Sequence, residues 1–202
     1  AHGLYRFAEG KISTRLGRTV HLEEVLAEGI ARAKKLTGGS EEVARAVGIG
    51  AIKYNDLSQH HSSEVVFDWE KILNLRGNSG PYLQYTYARA RSVLRKAGLK
   101  TNLKGLETLT LKVGLEAEEP LLRYLYRFPE IVEEATMTNS PNLICSYLFS
   151  LAQRFNRLYD LRPILRAENV ELRDLRLGLT AATAQIIKNG LTLLGIEAPE
   201  KL

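Results

Sequence analysis

The stretch Gly77-Asn78-Ser79-Gly80-Pro81-Tyr82-Leu83-Gln84-Tyr85 contains the clearest break in the chain and the start of a long helix. Its first four residues favour a loop, and its proline falls in the first turn of the next helix, where a missing N–H costs nothing. Apolar residues then recur at helical spacing, at Leu83, Tyr87, Ala90 and Leu94. We therefore predict a helix over Pro81–Ala97 that buries these four side chains.

Helical patterns also lie on the N-terminal side of this break. One apolar stripe predicts a helix that ends at Thr37-Gly38-Gly39, and a second helix begins where Ser40 can cap it. Val65-Val66-Phe67 is an apolar run too brief to predict as a strand. Asp68 can cap a further helix over Trp69–Leu75.

The C-terminal side is helical as well. A linker or weak helix is expected over residues 98–117, and three helical segments follow it: Glu118–Phe128 with an extension after Pro129, Pro141–Tyr159, and Val170–Leu194. Residues 1–20 are mixed in character and loop-like. The predicted fold is an all-α helical bundle preceded by a short non-helical stub.

Composition narrows the class of protein. Of 202 residues, 45% are hydrophobic and 25% charged, which is typical of a globular chain that can bury a core. A single cysteine excludes a disulfide framework and a Cys-based zinc site. The longest nearly apolar stretch, Leu143–Ala152, is about half as long as a membrane helix needs, and no signal peptide is visible. We expect a cytoplasmic protein without a membrane partner, and its net charge of +5 is compatible with an anionic one.

Aromatic and basic residues alternate on the helix that follows Pro81. Rings of this kind can stack on unpaired bases while arginines neutralise phosphates, but half-buried tyrosines and solvated arginines would give the same pattern. The residues concerned include Tyr82, Tyr85, Arg89 and Arg91. A second such cluster spans residues 154–159, where core packing of Phe155 and Leu158 is the alternative.

Signals for enzyme chemistry are few. Residues 11–18 carry three cations and two hydroxyls in a loop that contains Gly17 and follows Gly10, which could hold a polyphosphate or be a solvated basic loop. His60 and His61 are adjacent and do not have the i, i+4 spacing of two ligands on one helix face, so no metal site is predicted. Cys145 lies on an apolar stripe, which favours core packing over nucleophilic chemistry.

Three stretches, taken in order, point to one family. They are Lys11-Ile12-Ser13-Thr14-Arg15, Gly48-Ile49-Gly50-Ala51-Ile52-Lys53-Tyr54, and the Gly77–Tyr85 stretch quoted above. With Phe67-Asp68-Trp69 and Leu193-Leu194-Gly195-Ile196, they resemble the C-terminal part of arginyl-tRNA synthetases, which are class I aminoacyl-tRNA synthetases. The resemblance covers essentially the whole chain.

The resemblance implies a function and a domain organisation. Members of this family join arginine to tRNA-Arg with ATP, and Mg²⁺ is expected, through an arginyl-adenylate. Residues 1–20 would be the tail of the catalytic domain with a KMSKS-like loop, and residues 21–202 would be the helical anticodon-binding domain. The HIGH-containing catalytic core and an N-terminal domain would precede this chain, so the chain alone is expected to be inactive. The implied partners are these domains and tRNA-Arg, without DNA, in a monomer.

The resemblance also implies site residues. Lys11 and Ser13 match the first lysine and the serine of KMSKS. Thr14 stands in place of the second lysine, which leaves open whether Lys11, Arg15 or a residue of another domain contacts the ATP phosphates. For the anticodon, the matching rings are Tyr82, Tyr85, Phe155 and Tyr159, with Leu202 near them and Arg89, Arg91 and Arg157 near loop phosphates. The alternative function is a free-standing helical module that binds tRNA or protein without aminoacylation activity.

Overall fold

The computed structural model describes residues 4–7, 10–11, 21–99 and 116–202. Within these residues the chain forms eight helices and three short strands. Their bounds are β1 Tyr5–Phe7, β2 Gly10–Lys11, α1 Leu22–Thr37, α2 Glu41–Leu57, β3 Val65–Phe67, α3 Trp69–Ile72, α4 Gly80–Lys96, α5 Glu119–Leu125, α6 Phe128–Thr138, α7 Pro141–Leu161 and α8 Val170–Leu193. The prediction of a helical bundle after a non-helical stub is confirmed. Most of the predicted 98–117 linker lies outside the described residues.

The three strands form a small sheet in the order β2-β1-β3. β1 pairs antiparallel with β2 and parallel with β3, and Tyr5 is opposite Val65. Val65-Val66-Phe67, too brief to predict as a strand, is therefore β3. Its pairing partner lies far away in the sequence, so no local pattern could reveal it.

Helices α1 and α2 are in backbone contact. A Cβ atom built on Gly48 would lie 2.6 Å from the carbonyl oxygen of Gly29, so only glycine fits at this point. The predicted helix ends are confirmed. Gly38 leaves α1 with a φ of 61°, and the Ser40 side chain accepts a hydrogen bond from the N–H of Val43 at 3.3 Å.

Two helix boundaries differ from the prediction. α3 stops at Ile72 because the Asn74 side chain accepts hydrogen bonds from the N–H groups of Arg76 and Gly77, at 2.7 and 3.1 Å, which competes with helix formation. The predicted segment from Glu118 onward is two helices, α5 and α6, with Pro129 in the first turn of α6. Proline is tolerated there because the first N–H groups of a helix have no acceptor within that helix.

The main core lies between α4, α7 and α8. All four predicted side chains of α4 are buried: Leu83, Tyr87, Ala90 and Leu94. They pack in one cluster with Leu148 and Leu151 of α7 and Ile187 and Leu191 of α8. Burying each large apolar side chain contributes roughly 1.5–3 kcal/mol, so this cluster holds α4 and α7 side by side.

Candidate nucleic-acid interface

The N-terminal end of α4 is bonded to α2 through a tyrosine hydroxyl that also contacts α7. Ser79 caps the helix, since its Oγ accepts a hydrogen bond from the N–H of Tyr82 at 3.2 Å. The hydroxyl of Tyr54, in α2, lies 2.6 Å from Oδ1 of Asn78 and 3.0 Å from the carbonyl oxygen of Cys145, in α7. Burial raises the pKa of Tyr54, so this hydroxyl remains a donor. These bonds fix where α4 starts and which way its side chains point.

A basic groove of about 740 Å³ lies alongside α4. Four predicted site residues line it: Tyr85, Arg89, Tyr159 and Leu202. Its lining carries five cationic side chains and, among the described residues, no Asp or Glu. The cations are Arg89, Arg95, Lys96, Arg166 and Lys201. A groove of this charge suits a polyanionic ligand.

Arg89 lies between two tyrosine rings of the groove. Its guanidinium carbon is 4.9 Å from the ring centroid of Tyr85 and 4.8 Å from that of Tyr159, which come from α4 and α7. Nη2 also donates to the Tyr85 hydroxyl at 3.3 Å. The rings stay accessible, with Tyr85 40% and Tyr159 38% exposed. Two exposed rings beside cations can stack on unpaired bases.

Asn156 of α7 joins the groove to α4. Its Oδ1 accepts a hydrogen bond from Nη1 of Arg89 at 2.9 Å, and its Nδ2 donates to the hydroxyl oxygens of Tyr82 and Thr86 at 3.0 and 2.9 Å. Tyr82 is half-buried, and its ring meets that of Phe149 edge-on at 5.5 Å. Asn156 was not among the predicted site residues, and its only sequence signal is its position within the second aromatic–basic cluster.

The C-terminal segment forms one wall of the groove and is bonded to α2 and α4. Nε2 of the fully buried Gln84 donates to the carbonyl oxygens of Ala46 and Glu197, at 3.0 and 2.7 Å. Nζ of Lys53 donates to the carbonyl oxygen of Gly195 at 2.6 Å. These bonds hold the segment that ends in the lining residues 201 and 202.

A second wall, the segment after α7, is held by a buried ion pair. Nε of Arg176 lies 2.8 Å from Oε1 of Glu118, and both side chains are under 5% exposed. Nη1 of Arg176 donates to the carbonyl oxygen of Pro163 at 2.9 Å and to Oε2 of Glu168 at 3.0 Å. Arg166 and its neighbours are thereby positioned along the groove.

The structure contradicts the predicted roles of Phe155 and Arg91. Phe155 is fully buried because it continues the apolar stripe of Leu148 and Leu151, so it cannot offer a ring to a base. Arg91 is also buried, and its Nη2 lies 3.0 Å from a carboxylate oxygen of Glu200, because the C-terminal segment covers this face of α4. It does not line the groove.

The other predicted residues lie elsewhere. Arg157 is exposed on α7 and is not part of the groove lining. Lys11 is in β2, where only its backbone is described, and Ser13 and Arg15 lie outside the described residues. The boundary predicted at residue 20 falls in the same undescribed stretch.

The described residues offer little enzyme chemistry. Among them, no group of three or more His, Cys, Asp or Glu side chains could hold a metal ion. Cys145 is fully buried, and burial raises the pKa of its thiol to about 12, in agreement with its predicted place in the core. None of the helices in the described ranges is both long and apolar enough to cross a membrane.

Comparison with known proteins identifies two family models. The DALR anticodon binding domain matches residues 83–202, more than half of the chain, and the catalytic domain of class I tRNA synthetases (R) matches residues 6–69. The second match extends beyond the boundary near residue 20 that the sequence predicts.

Relatives and solved structures agree with these matches. Arginine–tRNA ligases of Chloroflexus aggregans and Fusobacterium nucleatum are 42% and 39% identical over 95% and 99% of this chain. The arginyl-tRNA synthetase structure from Thermus thermophilus covers the whole chain with a TM-score of 0.88 at 32% identity. The chain spans 35–36% of the length of these proteins. It belongs to the DALR anticodon-binding domain family, and the relatives that it resembles along its length are arginyl-tRNA synthetases.

Proposed function

We propose that this chain binds the anticodon loop of tRNA-Arg as the C-terminal region of an arginine–tRNA ligase. The observation that carries the proposal is the groove in which Tyr85 and Tyr159 flank Arg89. The names of the relatives favour this function over that of an interaction module without aminoacylation activity.

The chemistry of the groove matches a single-stranded RNA loop. Unpaired bases offer flat faces on which Tyr85 and Tyr159 can stack, and each stacked base contributes about 1–3 kcal/mol. Arg95, Lys96 and Arg166 line the same groove, where they can neutralise loop phosphates. Rings select unpaired bases, while the cations add affinity that depends on salt and not on sequence.

The parent enzyme would work in the cytoplasm and would use ATP, with Mg²⁺, to form arginyl-adenylate. Lys11, Ser13 and Arg15 carry a cation or a hydroxyl, which are donors suited to polyphosphate. When bound, ATP would supply the α-phosphoryl group that the arginine carboxylate attacks, and pyrophosphate would be released. The contribution we propose for residues 21–202 is to hold and select the tRNA.

A binding titration tests the proposal. The 202-residue chain is mixed with RNA hairpins that carry an arginine anticodon, a different anticodon, or abasic sites in the anticodon. We expect the arginine hairpin to bind most tightly and the abasic hairpin to bind most weakly. Equal affinity for the three hairpins would contradict anticodon recognition.

A further inference from the structure

We propose that Asn156 is a positioning residue for base recognition, because it holds Arg89 in place between the two exposed rings. The inference rests on the proposed function and extends it to a residue that contacts no ligand in the proposal. Asn156 acts through Arg89.

The orientation of the Asn156 amide follows from its partners. A guanidinium can only donate hydrogen bonds, so the oxygen of the amide must face Arg89, 2.9 Å away. The hydroxyl of Thr86 donates its only proton to the carbonyl oxygen of Tyr82, at 2.9 Å. It therefore accepts the hydrogen bond from Nδ2 of Asn156. Nδ2 also donates to the hydroxyl oxygen of Tyr82 at 3.0 Å. The amide is thus fixed from both ends.

Removing this amide would give Arg89 a competing position. Oδ1 of Asp160 lies 3.8 Å from Nη1 of Arg89, and the Asp160 side chain is 67% exposed. Without Asn156, the guanidinium can turn towards this carboxylate and away from Tyr85 and Tyr159. Arg89 would then no longer hold the rings of Tyr85 and Tyr159 in place. Binding a base would require these two rings to become ordered, and the loss of their conformational freedom would lower the affinity.

The first experiment uses Asn156→Ala in the 202-residue chain. We expect affinity for the arginine-anticodon hairpin to fall about tenfold, while affinity for the abasic hairpin changes little. The dependence of binding on salt should stay the same, since no charge is removed. Asn189→Ala is the matched control, because Asn189 is an exposed helical asparagine whose side chain is bonded, within the described residues, to the Gln185 side chain on the same helix. It should bind both hairpins as the unmodified chain does.

A double-mutant cycle tests whether Asn156 acts through Arg89. In an Arg89→Lys background, which keeps the charge but loses the planar fork, Asn156→Ala should cause no further loss of base-dependent affinity. Independent, additive losses would overturn the inference, as would an equal loss for both hairpins.

Asn156→Asp provides a second test in case the alanine variant does not fold correctly. It keeps an acceptor for Arg89, and the hydroxyl of Tyr82 can turn to donate to it, while Thr86 keeps its bond to the carbonyl oxygen of Tyr82. Its added negative charge should weaken the binding of both hairpins. The ratio of the affinity for the arginine-anticodon hairpin to that for the abasic hairpin should stay the same. Loss of that ratio would overturn the inference. If the unmodified chain binds both hairpins equally, the proposed function fails before any variant is made, and the inference fails with it.

Discussion

Arg89 and Tyr159 come from different helices, and the guanidinium carbon of Arg89 lies 4.8 Å from the centroid of the Tyr159 ring. The contact exists only when α4 and α7 are packed together. The groove is therefore a product of tertiary packing, and variants that loosen the α4–α7 contact should weaken RNA binding without touching the groove itself.

The two exposed rings should contribute directly to RNA affinity. We expect Tyr85→Ala and Tyr159→Ala each to cost about 1–3 kcal/mol in binding the arginine-anticodon hairpin, because each removes a stacking surface. Fluorescence anisotropy would measure the loss. Tyr126→Ala is the control, since Tyr126 is 69% exposed and does not line the groove. A comparable loss of affinity with Tyr126→Ala would contradict a specific contribution of Tyr85 and Tyr159 to RNA binding.

The exposed cations of the groove should set the salt dependence. We expect Lys96→Ala and Arg166→Ala each to lower the slope of log affinity against log salt by about 0.7–1, because each removes one phosphate contact. Arg91→Ala is the contrasting variant, since Arg91 is paired with Glu200 and lies outside the groove lining. A slope that changes with Arg91 but not with Lys96 or Arg166 would place the phosphates elsewhere.

The Tyr54 hydroxyl should contribute to the stability of the fold. Tyr54→Phe removes the single hydroxyl proton that Oδ1 of Asn78 and the carbonyl oxygen of Cys145 share, and we expect the free energy of unfolding to fall by about 1–3 kcal/mol. Urea denaturation followed by circular dichroism measures it. Tyr87→Phe is the buried control, because Tyr87 is 2% exposed and its substitution leaves both contacts of the Tyr54 hydroxyl intact. The idea fails if both variants are equally stable.

The contact between α1 and α2 should not tolerate a side chain. Gly48→Ala places a methyl group 2.6 Å from the carbonyl oxygen of Gly29, which is backbone and cannot move aside. We expect a loss of about 1–3 kcal/mol in thermal or urea unfolding. Gly77→Ala is the comparison, since the nearest atom there belongs to the Asn74 side chain at 3.3 Å. Unchanged stability of the Gly48 variant would mean that the helices do not touch.

The Cys145 thiol should react only when the chain unfolds. In the folded chain its pKa is raised to about 12, so at about pH 8 it carries almost no thiolate, whereas the unfolded thiol titrates near its ordinary value. This shift stabilises the folded state below pH 9.0 and is lost as the pH rises towards 12. Alkylation by iodoacetamide across a urea series should follow the unfolding curve. Rapid alkylation without urea would contradict burial.

The helices were predictable from the sequence because their signals are local. Each signal involves only residues that are close in the sequence, and the structure confirms what it predicts. Examples are the cap at Ser40, the helix start at Pro81 and the apolar stripe of α4. β3 was not predictable, because its partner β1 is distant in the sequence and neither strand is long enough to show a period.

The site was predictable only in part, for the same reason. Tyr85 and Tyr159 could be selected by residue type, but whether a ring is exposed depends on which helix face the partner covers. Phe155 has the chemistry of a stacking ring and lies in the core. Asn156, its neighbour, reaches the groove through partners on α4 that are 67–74 residues away. Spacing along one helix contains no information about such contacts.

The first turns of α4 should tolerate changes in chain length poorly. Four side chains in residues 78–85 contact different neighbours, and successive helical residues differ in direction by about 100°. Asn78 contacts Tyr54, Tyr82 contacts Asn156, Gln84 contacts Glu197, and Tyr85 contacts Arg89. A single inserted residue within this stretch would turn every later side chain away from its partner, and the C-terminal segment, the groove and the core would lose their alignment together. We expect insertions and deletions in this part of the chain to be far more damaging than most single substitutions.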